Sequence, residues 1–105
     1  MNRISFEDRA KVYAKALVMF GTGSQLIVAL EELSEAQKEI CKALRGKCNP
    51  EHLAEEVADA TIMLEQVRQI FGINDAVCNV MDEKILRLQE RIDAARERLR
   101  AEGGK

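Results

Sequence analysis

The chain has 105 residues, of which 47% are hydrophobic and 32% charged, which suits one folded domain and excludes both a disordered chain and a second domain. Its 16 basic and 18 acidic residues leave a formal charge of −2, so it has no bulk electrostatic reason to coat a nucleic acid polymer or an anionic membrane. Aromatics make up only 4%, Trp is absent and Pro50 is the sole proline, a composition that favours helix over strand.

Four helices are expected in chain order. Ser5 with Asp8 three residues on resembles a capping pair, and the stripe Phe6, Ala10, Tyr13, Leu17, Phe20 follows at helical spacing. Gly21 and Gly23 break this segment, and Thr22 or Ser24 is expected to cap the next helix, which runs from about Ser24 to Arg45 and stops at Gly46. Its expected apolar face is Leu26, Leu30, Leu33, Ile40 and Leu44. Asn49, Pro50 and Glu51 are a cap, a first-turn proline and a first-turn acid, so the third helix starts there and ends at about Phe71 before Gly72.

Asn74 is the expected cap of a long fourth helix reaching about Glu102, ahead of a frayed Gly103-Gly104-Lys105. Cys78, Met81, Ile85, Leu88, Ile92, Ala95 and Leu99 form a heptad seam along it, to be buried within the subunit or against another one. The chain is thus read as all-α and four-helix bundle-like: an N-terminal helix and turn over 1–23, a motif-bearing core over 24–90, and a helix end and tail over 91–105. No charged-then-apolar leader opens it, and no apolar run approaches the ~20 residues of a membrane span. Cys41, Cys48 and Cys78 are odd in number and lack CxxC spacing, so reduced thiols in a cytoplasmic protein are expected.

The chemistry lies in two acidic clusters, Glu31-Glu32-Leu33-Ser34-Glu35 on the second helix and Glu55-Glu56-Val57-Ala58-Asp59 on the third. Residues three apart share a helix face, so Glu32 projects with Glu35, and Glu56 with Asp59. The ridge through Glu56 and Asp59 continues through Ala60, Met63, Val67 and Ile70, which places both acids at the edge of a core face. A carboxylate there must be paired, protonated or bound to a cation. Lys38, Lys42, Arg45 and Lys47 gather near the end of the second helix, and Arg68 lies three turns past Glu56, so no base is well placed. Antiparallel packing of the two helices would converge four carboxylates, and oxygen-only ligands suit Mg²⁺, with Mn²⁺ as a substitute. A di-iron site would need Glu-x-x-His motifs, whereas the only histidine, His52, follows Asn49 by three residues. His52 is read as an exposed first-turn residue, with an outer-shell role, one turn before Glu56, as the lesser alternative. An isolated acidic run of either kind is usually a solvated face; the two together, one short loop apart, are what point to a metal centre.

The pattern Glu31-Glu32-x-x-Glu35 followed by Glu56-x-x-Asp59 resembles the signature of the MazG-like all-α nucleoside triphosphate pyrophosphohydrolases. Asp82-Glu83-Lys84-Ile85-Leu86-Arg87 is similar to a later segment of that family, with Asp82 and Ile85 where Asn and an aromatic are common. The resemblance implies a homodimer or homotetramer that hydrolyses an NTP or dNTP to the monophosphate and pyrophosphate with Mg²⁺. It also implies Glu32, Glu35, Glu56 and Asp59 as metal ligands, Glu31 as outer-shell group or base, and Lys84 and Arg87 on the substrate phosphates. The alternatives are a non-catalytic helical oligomer that binds nucleotide or protein, a structural coiled coil, and a phosphoribosyl-ATP pyrophosphohydrolase. Gln25, Phe20 and Tyr13 are candidates for a base pocket, although ordinary core or surface roles suit them better.

Overall fold

A computed structural model describes residues 3–103. Four helices and no strand occur among them: α1 (Phe6–Phe20), α2 (Thr22–Leu44), α3 (Pro50–Ile70) and α4 (Asn74–Gly103). The chain divides into two compact units, Met1–Gly72 and Ile73–Lys105. The expected fray at Gly104 and Lys105 lies outside the described residues, and Gly103 still belongs to α4. No single described helix is long and apolar enough to cross a membrane.

In the first unit, α3 starts as its sequence dictates. The Asn49 side chain accepts from the His52 N–H, Pro50 occupies the first turn, and Glu51 meets the positive end of the helix dipole. Ser5 likewise accepts from the Asp8 N–H at 3.0 Å to open α1. The start of α2 differs from expectation, because neither Thr22 nor Ser24 caps it. Its N-cap is Gly21, which supplies no side-chain bond. At φ 88° and ψ 151° this residue holds a conformation that a Cβ would oppose. Its N–H closes α1 on the Leu17 carbonyl, and its own carbonyl receives the Gln25 N–H. One residue therefore makes the joint, and α1 and α2 meet at 114°.

The tightest packing is between α2 and α3, with α1 lying against both. Of the leucine face expected from the sequence, α2 turns inward only Leu26 and Leu33, both half-buried. Leu30, Ile40 and Leu44 are 69%, 52% and 84% exposed, whereas Gln25, Ala29, Ala36 and Glu39 are buried. Ala29, Ala36 and Ala60 are buried, and small side chains at a helix contact allow a closer approach than broad leucines do. The α3 ridge is as expected: Ala60 and Met63 are buried, and Val67 and Ile70 are half-buried.

Polar residues meet across this pair in a regular register. Gln25 donates to Gln66 at 2.7 Å, Glu32 converges on Asp59 and Glu56, and Glu39 contacts His52 at 3.2 Å. Along α2 these rungs fall at 25, 32 and 39, and along α3 at 66, 59 and 52. A seven-residue step returns to the same helix face after two turns, so the antiparallel seam is a heptad ladder of polar rungs spaced by small residues.

The second unit is α4 alone, preceded by Ile73. Asn74 is its first helical residue rather than its cap, and the Ile73 carbonyl receives the Val77 N–H. The seam Met81, Ile85, Leu88, Ile92 and Leu99 is exposed, and Ala95 is half-buried.

Candidate metal centre

The three rungs of the α2–α3 seam differ in how their polar groups are satisfied. The Gln25–Gln66 rung is an amide pair in which Gln66 accepts, and the Gln66 amide nitrogen donates to the Met63 sulfur at 3.6 Å. The Glu39 rung is an acid between two bases, with Lys42 Nζ at 3.0 Å and His52 Nε2 at 3.2 Å from Oε1. The middle rung contains acids alone. One carboxylate oxygen from each of Glu32, Glu56 and Asp59 lies within 4.8 Å of the others.

Glu56 is the critical member. Its side chain is 14% exposed, and its Oε2 is buried with no hydrogen-bond partner. A native structure pairs nearly every buried polar atom, since an unmet carboxylate oxygen costs a large desolvation penalty. Glu32 feels the same crowding. Partial burial first, and then the carboxylates of Asp59, Glu56, Glu35 and Glu31, raise its carboxyl above the ordinary glutamate value of 4.5. The acids of the rung therefore crowd one another, with the His52 imidazole 3.8 Å from Glu56 Oε1 at its edge.

The structure brings together Glu32, Glu56 and Asp59 from the expected ligand set. Glu35 stands beside this triad, exposed, with Oε1 3.7 Å from Lys38 Nζ. Glu31 is exposed on the same stretch of α2, and both acids act on Glu32 through space. Lys84 and Arg87 are exposed residues of α4, in the second unit. The three base-pocket candidates have other employment. Tyr13 donates to Glu65 Oε1 at 2.6 Å, Gln25 is in its amide rung, and Phe20 is exposed at the end of α1.

Two features escaped the sequence reading. Glu39 follows Glu32 by seven residues, a signal that was available, and it is buried at 5% exposure. His52 is half-exposed in the first turn of α3 as expected, and its 3.8 Å approach to Glu56 Oε1 is the ordinary one of residues four apart on a helix, but its Nε2 also meets Glu39 Oε1 at 3.2 Å across the helix pair. No spacing rule announces that contact, because it depends on the register between the helices.

The donor set fits a hard divalent cation. Mg²⁺ holds oxygen ligands at ~2.0–2.1 Å, so trans ligands stand ~4.2 Å apart and neighbouring ones closer. Oxygens already gathered within 4.8 Å need only a small contraction to share one ion. With neither His nor Cys in the triad, zinc and the softer metals lose their preferred donors. Against this geometry, no protein-family model, curated protein or solved structure matches the chain, so its residues and their arrangement carry the functional reading.

Proposed function

We propose that the chain is a Mg²⁺-dependent nucleoside triphosphate pyrophosphohydrolase, releasing pyrophosphate and a nucleoside monophosphate. The observation that carries this reading is the acidic rung, where Glu56 Oε2 is buried and unpartnered beside Glu32 and Asp59. The resemblance of the Glu31-Glu32-x-x-Glu35 and Glu56-x-x-Asp59 motifs to the MazG-like enzymes supports it.

Glu32, Glu56 and Asp59 are the residues that would hold the metal, with Glu35 close enough in sequence and field to join them. A cation held there would supply positive charge between acids and phosphates and make a water easier to deprotonate. Hydrolysis forms one bond from the water oxygen to the α-phosphorus and breaks the bond from that phosphorus to the bridging oxygen, which leaves with pyrophosphate. The proton released by the attacking water goes to Glu31, an exposed carboxylate next to the triad. Lys84 and Arg87 are assigned to the triphosphate, where fixed positive charge favours departure of pyrophosphate.

The same reading has the chain as a cytoplasmic homodimer or homotetramer. The exposed apolar seam of α4 is the surface that a second copy would cover. Light scattering of the purified chain tests this, and a monomer at all concentrations rejects it.

The decisive assay is pyrophosphate release from a panel of canonical and modified nucleotides with and without Mg²⁺. Turnover that needs Mg²⁺ and is lost in Glu56→Gln and Asp59→Asn is the expected result. Near-normal activity in either variant rejects the assignment. Nucleotide binding without any release in the native chain identifies the non-catalytic binding module instead.

A further inference from the structure

The Glu39 rung touches the acidic rung through one side chain. His52 Nε2 lies 3.2 Å from Glu39 Oε1 on α2 and 3.8 Å from Glu56 Oε1, one turn further along α3. Glu39 is buried at 5% exposure, and Lys42 already contacts it at 3.0 Å on its own helix. A buried acid that a lysine neutralises does not need an imidazole as well. His52 is the group placed to touch both acids, and its contact with Glu39 is the one that crosses the helix pair.

Resting on the reading of Glu32, Glu56 and Asp59 as a metal centre, we infer that Glu39 and His52 are positioning residues for Glu56. Glu39 is held by burial and Lys42, and it fixes the imidazole from the opposite helix. The imidazole in turn occupies the Oε1 side of the Glu56 carboxylate. A glutamate has three side-chain torsions to lose on binding a cation, and a carboxylate with a fixed neighbour beside one oxygen has fewer orientations to surrender. The other oxygen, Oε2, is the one left buried without a partner.

The test is Mn²⁺ binding to the full chain, read from the electron paramagnetic resonance signal of free Mn²⁺, together with the melting temperature of each metal-free variant. His52→Ala is expected to weaken Mn²⁺ binding about tenfold, the size usual for loss of a group that orients a ligand. Glu39→Gln is expected to weaken it severalfold. The double variant should bind no more weakly than His52→Ala, because Glu39 acts through the imidazole. His52→Gln keeps an amide nitrogen near the Nε2 position and should restore most of the affinity.

A purely structural rung gives a different pattern: losses in melting temperature that add, with Mn²⁺ affinity unchanged. That pattern, or tighter Mn²⁺ binding in His52→Ala, overturns the inference while leaving the metal centre standing. Absence of saturable Mn²⁺ binding in the native chain overturns both together.

Discussion

Two glutamates on α3, Glu56 and Glu65, stand two and a half turns apart with side chains 14% and 15% exposed. Equal burial poses the same electrostatic problem at both positions, and the molecule answers it in opposite ways. At Glu65, Arg9 donates from Nε to Oε1 at 2.9 Å and from Nη2 to Oε2 at 3.2 Å, and Tyr13 adds a 2.6 Å bond to Oε1. Both oxygens are satisfied, and the network ties α1 to α3. At Glu56 two more acids converge, and one oxygen is left with no donor at all. A fold that can saturate one buried acid so fully has not done so for the other. The difference separates an acid whose two oxygens are saturated within the fold from one that, on the proposed reading, would meet a cation.

The comparison can be broken by experiment, starting with the largest effect. Glu56→Gln is expected to reduce Mg²⁺-dependent pyrophosphate release by roughly a thousandfold, about 4 kcal/mol of transition-state stabilisation. Circular dichroism should show its metal-free form melting at or above the native temperature, because one of three like charges is gone. A variant that is unfolded rather than inactive would equate Glu56 with Glu65 and erase the contrast.

Next in size, Mg²⁺ at about a hundred times its Kd should stabilise the native chain by about 2.7 kcal/mol, and Glu56→Gln should lose that response. Equal thermal shifts in the two proteins would place the ion elsewhere. Glu65→Ala should behave in the opposite sense to Glu56→Gln. It strands the Tyr13 hydroxyl and the partly exposed Arg9, so a loss of about 2 kcal/mol is expected in urea unfolding, with little change in Mg²⁺ affinity.

Tyr13→Phe sharpens the same point with a smaller change of about 1 kcal/mol, since Arg9 still holds Glu65. Burial, and then the bond to Glu65, push the Tyr13 hydroxyl up from 10.0 to about 12. The folded chain therefore keeps this proton longer than the unfolded one. Its contribution is complete below pH 10.0 and is lost as pH climbs through about 12. Melting temperatures across that window should fall more steeply in the native chain than in Tyr13→Phe.

The smallest effect concerns Glu32, whose carboxyl is raised by partial burial and by the acids around it. The folded metal-free chain binds this proton more readily than the unfolded chain, so its share of stability grows as pH falls toward the ordinary value of 4.5. The Glu32→Gln variant should lack that increment, and saturating Mg²⁺ should suppress it. A metal-free melting curve in which Glu32→Gln and the native chain track each other in mild acid would show that the rung is not crowded.

Helix existence and most boundaries were readable from short-range chemistry. Ser5 and Asn49 cap as their side chains allow, Pro50 sits where a missing N–H costs nothing, and the α3 ridge of Ala60 and Met63 turns inward. The pairing of Glu56 with Asp59 needs only the helix period. Those features depend on neighbours within about a turn, which a linear chain displays directly.

What α2 presents to α3 was not readable in that way. Its leucines outweigh its alanines in hydrophobicity, yet close approach selects the narrow face, and Gln25, Glu32 and Glu39 come inward with it. The rotation of one helix against another is set by how two surfaces interlock, a property of the pair that neither strip of sequence carries alone. Only that interlocking decides that Glu39 receives His52 while Glu32 receives two more acids.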